Sequence, residues 1–332
     1  MMLVPIFPME EIQMNILRYH LLVAMLLALA ACSSPPLTPT SVPAPTMVSS
    51  VPVVTIAPTV APTNTVIPTL PPMNTPTPTN VPIATLVPKE VEVSFQSGNL
   101  TLRGFIWKPN GDGPFPAMLW NHGSEKTPGW LPDNAMEFVS KGYVFFIPHR
   151  RGQGRSPGPY ILDQLATAKT ADESSKMLVK LHETEQLQDQ LAALAYLKTL
   201  NYVDKTKLAV GGCSYGGIQT VLGAEVKDTG YRAAVNFAGA AKSWKGSPDI
   251  RTRLLTAVRS TSVPIFFIQA ENDVDLTPSN VLSEAMKDAG KAYKLKIFPS
   301  TGGDSQSGHD FCVTSPKVWG PEVFAFLSEY LK

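Results

Sequence analysis

The chain has little cysteine, little histidine, no surplus of either charge and no apolar run long enough to cross a membrane. Only three of its 332 residues are cysteine, at positions 32, 213 and 312, which excludes a small disulfide-stapled scaffold. No Cys or His pair stands at ligand spacing among these and the five histidines, so no metal site and no cofactor are expected. The 28 Lys and Arg balance 27 Asp and Glu without a block of like charge, which argues against a nucleic-acid partner. The apolar run near the N-terminus, Leu21 to Ala31, is too short for a bilayer span.

That run has the length of a signal h-region, and Arg18-Tyr19-His20 precedes it. It ends in Leu29-Ala30-Ala31-Cys32, which resembles the bacterial lipobox, in which small residues precede a cysteine that becomes the lipidated N-terminus. Residues 1–31 are therefore read as a lipoprotein signal peptide and Cys32 as the lipidation site. Glu10 and Glu11 do not suit a positively charged n-region, so translation is expected to start at Met14. From Ser33 to Pro88 no residue is charged, and Pro and Thr make up about half of the segment. Such a composition cannot bury a core and reads as an extended stalk over 32–88, with a reach of up to about 170 Å at about 3.1 Å per residue. The expected location is outside the cytoplasmic membrane, held there by lipid.

The remaining residues, 89–332, suit one domain. Strands are expected at 91–95, 100–107, 116–120, 142–147, 207–211, 233–237, 264–269 and 293–298, the first two as an antiparallel hairpin. Helical spacing covers 183–200, the segment after Ser214, 250–258, 278–289 and 318–331. Alternating strands and helices imply an α/β fold, a mostly parallel eight-stranded sheet covered on both faces, with functional residues at the carboxyl ends of the strands.

Gly212-Cys213-Ser214-Tyr215-Gly216 reads as a G-x-S-x-G elbow between a buried strand and a helix, a tight turn that exposes the serine hydroxyl. A serine needs a base that a third group orients. His20 lies in the signal, His182 beside a charged helix where it should be solvated, and His122 and His149 follow strands that precede the elbow. His309, in a polar Gly-rich loop after the last strand, is the candidate base. Asp273, after the seventh strand, is the first choice of orienting carboxylate, with Asp275 and Glu271 as alternatives. The oxyanion donors are expected to be the backbone N–H of Tyr215 and that of Ser124 or Gly123, with His122 a structural hydrogen-bonder. Bonding a sulfur within the elbow would constrain a tight turn, so Cys213 and Cys312 are expected to be buried free thiols. Arg150 and Arg151 are expected to support their loop rather than to bind a substrate carboxylate. Residues 157–180 are the candidate cover over an otherwise open pocket suited to short or medium acyl groups.

Asn121-His122-Gly123, Arg151-Gly152-Gln153-Gly154-Arg155-Ser156, Val203-Asp204-Lys205, the elbow, Asn272-Asp273 and Gly308-His309 together resemble α/β-hydrolases of the dienelactone-hydrolase-like and prolyl-oligopeptidase-like groups. The resemblance covers nearly all of 89–332. It implies an α/β-hydrolase fold and a serine hydrolase using Ser214, Asp273 and His309. Dienelactone hydrolases proper carry a cysteine nucleophile, where this chain has serine, and oligopeptidases carry a propeller, where this chain has the stalk. A small-molecule ester is therefore the expected substrate. The alternatives are a peptidase or amidase and a non-catalytic surface binding lipoprotein.

Overall fold

The computed structural model describes residues 89–332. The signal peptide, the Met14 start, Cys32 and the stalk lie outside the described residues. Eight strands form one sheet: β1 (Val91–Ser97), β2 (Leu100–Trp107), β3 (Phe115–Asn121), β4 (Val144–Pro148), β5 (Val203–Cys213), β6 (Tyr231–Phe237), β7 (Ile265–Ala270) and β8 (Tyr293–Phe298). Their spatial order is β1-β2-β4-β3-β5-β6-β7-β8. β2 runs antiparallel to both β1 and β4, and every pairing from β4 to β8 is parallel.

Successive residues of the central strands feed opposite faces, as a period of two requires. Ala117, Leu119, Val144, Phe146, Leu208, Val210, Ile265 and Phe267 join one buried cluster with the helices 171–181, 187–197, 215–225, 248–260 and 277–288. Their neighbours Met118, Trp120, Phe145, Ile147, Ala209, Phe266 and Ile268 join a second cluster with the helices 132–140 and 316–330. The sheet is thus a filled middle layer. At roughly 1.5–3 kcal/mol for each large apolar side chain removed from water, these two clusters carry most of the drive to fold.

Several local expectations need correction. Residues 132–140 form a helix that the sequence reading leaves without an element, and β5 begins at Val203, not at 207. The segment around His309 is not an open loop: 305–309 and 311–314 are short helices. His182 is fully buried rather than solvated. It opens a π-helical turn, 182–186, between the helices 171–181 and 187–197, and Gln219 lies 2.7 Å from its Nδ1. Ser175, Leu178 and His182 stand at helical spacing on one buried face, so His182 points inward although Glu183 and Glu185 follow it.

Candidate active site

Ser214 sits between β5 and the helix Tyr215–Glu225 with φ 58° and ψ −117°, a conformation that a non-glycine residue rarely adopts. The surrounding ladder holds it there, since the Ser214 N–H donates to the Phe237 carbonyl at 2.9 Å. Gly216 is required by packing: a Cβ at this position would land on the Asn121 carbonyl at the end of β3. Strand, strained turn and helix thus bring Ser214 to the rim of a cavity of about 390 Å³.

His309 lines the same cavity. Asp304 begins its short helix, accepting from the Ser307 N–H at 2.7 Å. Asn272 ties this segment to the end of β7, donating to the Thr301 carbonyl at 2.8 Å and the Asp304 carbonyl at 2.7 Å. Gly308 lets the helix lie directly on that loop, because a Cβ there would stand 2.6 Å from the Asn272 backbone. The result is a 2.8 Å contact between His309 Nδ1 and Asp273 Oδ1. Asp273 is itself fixed, accepting from Val274 N–H at 2.6 Å and from Gln269 Nε2 at 2.8 Å. Nδ1–H therefore donates to the carboxylate, and Nε2 has no protein hydrogen-bond partner.

Of the three acids left open by the sequence, Asp273 is the one on the histidine. Asp275 accepts from the Thr277 N–H at 3.0 Å at the start of the next helix, and Glu271 is exposed.

Gly123 and Ser124 also line the cavity, and a Cβ on Gly123 would come within 3.6 Å of Ser214 Cβ. His122 also lines the cavity, with both ring nitrogens within hydrogen-bond reach of protein groups. Its Nε2 accepts from the Arg150 N–H at 3.2 Å, and its Nδ1 lies 3.0 Å from the Gly123 carbonyl. Burial and the adjacent Arg150 charge hold its pKa well below the ordinary value, so the ring is neutral. Burial likewise lowers His149 to about 4 and His182 to about 3.

Neither arginine lines the cavity. Arg151 pairs with the buried Asp189 at 2.7 Å, and Arg150 lies beneath the His122–Gly123 backbone. Residues 157–180 do not line the cavity either; Leu131, Lys242, Gln306 and Val313 are among the other residues of its wall. Among the described residues, no group of three His, Cys, Asp or Glu side chains could hold a metal ion.

Cys213 and Cys312 are joined by a disulfide, contrary to the expected free thiols. The reading failed because the bond joins the end of β5 to the short helix after His309, and only the fold brings these together. Both sulfurs lie on the His309 carbonyl, at 3.8 and 3.7 Å. The residue before Ser214 is thereby linked covalently to the turn that carries His309.

Comparison with known proteins agrees with this architecture. Residues 131–320, more than half of the chain, match the dienelactone hydrolase family. The quorum-quenching protein AidA of Acinetobacter baumannii is 26% identical over 128 residues, which are 38% of this chain and 36% of that protein. Among solved structures, an acylaminoacyl peptidase of Pyrococcus horikoshii superposes with a TM-score of 0.56 at 20% identity, over 74% of this chain and 42% of its own. An esterase of Pyrococcus furiosus gives 0.54 at 16% identity, over 74% of this chain and 92% of its own. The chain thus spans less than half the length of the curated relative and of the peptidase. At these identities the superpositions establish the α/β-hydrolase fold alone.

Proposed function

The chain belongs to the dienelactone hydrolase family, and from that premise we propose that it is a serine hydrolase cleaving carboxylic esters of short to medium acyl groups. The observation that carries the reading is the convergence on one cavity of a strained, elbow-borne Ser214 and a His309 whose other nitrogen is fixed by Asp273.

In this mechanism His309 Nε2 takes the Ser214 proton as Oγ attacks the acyl carbon. Asp273 keeps Nδ1 protonated and offsets the imidazolium charge that then forms. The Tyr215 N–H and one from Gly123 or Ser124 receive the oxyanion. His309 returns its proton to the leaving alkoxide, and water, activated by the same imidazole, hydrolyses the acyl-enzyme. The cavity, at about 390 Å³, is near the lower end of ligand-site sizes, about 300–1,000 Å³, which suits a small acyl group.

Anchorage through lipid on Cys32, outside the cytoplasmic membrane, completes the proposal. The lipobox-like sequence supports it, and so does the disulfide, since such bonds persist in oxidising compartments.

Turnover of p-nitrophenyl acetate and butyrate should be compared with that of aminoacyl p-nitroanilides, for the wild type and Ser214→Ala. Ester turnover lost in the variant, with little amide turnover, is expected. Preferential amide cleavage would replace the esterase reading with a peptidase one.

A further inference from the structure

The backbone 122–125 that follows β3 is gripped by its carbonyls. Arg150 Nη2 donates to the His122 carbonyl at 2.8 Å and to the Gly123 carbonyl at 2.6 Å. Gln153 Nε2 adds contacts of 3.3 Å to the Gly123 carbonyl and 2.7 Å to that of Glu125, and the Tyr160 hydroxyl donates to the Ser124 carbonyl.

The peptides joining 122, 123 and 124 are trans, so each N–H points opposite to the carbonyl of the preceding residue. Capturing the carbonyls of His122 and Gly123 on the inner side therefore turns the N–H groups of Gly123 and Ser124 outward. Both residues line the cavity, and the Gly123 N–H donates to a side-chain oxygen there, Glu125 Oε1, at 3.2 Å. One guanidinium thus fixes the direction of both candidate oxyanion donors.

The charge of that group matters as much as its geometry. The Arg150 side chain is 2% exposed; among the described residues no carboxylate forms an ion pair with it, while Glu125 and Asp189 attract its charge from further off. Burial brings its pKa down to about 10, which leaves it protonated at neutral pH. A carbonyl that accepts from a cation polarises its own peptide, and the N–H of that peptide becomes a stronger donor. Arg151, its neighbour in sequence, is neutralised by Asp189 and cannot act in this way.

We propose that Arg150 is the positioning residue of the oxyanion site: it aims the Gly123 and Ser124 N–H groups and strengthens them as donors toward the oxyanion formed at Ser214. It touches no substrate, and the inference rests on the serine-hydrolase reading above.

The test uses the full-length chain, p-nitrophenyl butyrate, and an alkyl trifluoromethyl ketone, which adds to an active serine as a tetrahedral oxyanion. Losing an oxyanion donor costs about 10²–10³-fold in kcat. Arg150→Met and Arg150→Gln are expected to lose about that factor in kcat with KM within about threefold, and the ketone should bind weaker by the same factor. Arg150→Lys keeps the cation, but its Nζ ends one bond short of the Nη2 that reaches both carbonyls, so it should fall between these and the wild type.

A folded variant with kcat within about threefold of wild type overturns the proposal, and so does a loss of kcat with unchanged ketone affinity. If none of the three variants gives a cooperative melt, the guanidinium is a folding element and the proposal likewise fails. A wild type that neither turns over ester nor reacts with a fluorophosphonate sinks the serine-hydrolase reading itself, and this inference with it. Active wild type with equally active variants sinks this inference alone.

Discussion

Removing the Cys213–Cys312 bond by the paired change Cys213→Ala/Cys312→Ala should destabilise the domain by a few kcal/mol. The bond closes a loop with a sequence separation of 99, and the chain-entropy model assigns about 4.7 kcal/mol to a loop of about 100 residues. Measured disulfides more often give about 2–4 kcal/mol, because the unfolded chain retains structure. In a domain of this size each kcal/mol moves Tm by roughly 2–4 °C, so the paired variant should melt roughly 5–15 °C below the wild type. Substitution is a cleaner perturbation than reductant, since both cysteines line the cavity and a reductant entering it would perturb the site as well as the bond. Thermal melts and urea titrations without reductant provide the assay. Activity should fall as well, because the turn bearing His309 loses its covalent tie to the elbow; misplacement by about 1 Å can cost about 10²-fold in kcat. A paired variant that melts within about 2 °C of wild type would refute the reasoning.

Asp273→Asn should lower kcat by about 10³–10⁴-fold, since an amide no longer holds His309 Nδ1 protonated, while Asp275→Asn keeps its helix-start acceptor and should stay within about threefold. Steady-state kinetics on the pair checks the assignment, and equal losses would contradict it. His182 is neutral in the fold, with its pKa lowered from 6.5 to about 3 by burial. Its contribution is complete above pH 6.5 and is lost as pH falls toward 3, because the unfolded chain then binds a proton that the fold rejects. The urea-derived stability should fall by about 1.4 kcal/mol per pH unit per such histidine, and His182→Asn should flatten the profile by that amount. An unchanged slope in the variant would show that His182 is not the group responsible.

The strands were legible because the central ones are short apolar runs bounded by turn residues, and the elbow because glycine spacing around a serine has one economical structural meaning. Chain order then pointed to Asp273 and His309, although the choice among three acids needed the fold: only Asp273 reaches the ring, while Asp275 is occupied at a helix start. The helix 132–140 escaped notice since it is only nine residues long and buries the polar Asn134 among Ala135, Phe138 and Val139. β5 was cut short at its polar end, where Asp204, Lys205 and Thr206 hide the strand pattern. His182 was misplaced because it was judged by the charged residues beside it, although Ser175, Leu178 and His182 share one buried face at helical spacing. The disulfide and the grip of Arg150 on the 122–123 backbone are long-range facts, and no local pattern in the sequence encodes which of two adjacent arginines turns inward.

The measurement that tests the central claim most directly is reaction of the full-length chain with a fluorophosphonate, followed by peptide mass spectrometry. One phosphonyl adduct per chain on Ser214, absent in Ser214→Ala and strongly slowed in His309→Ala, is the predicted result. An adduct on another residue, or none on a folded chain, would contradict the assignment of Ser214 as the nucleophile.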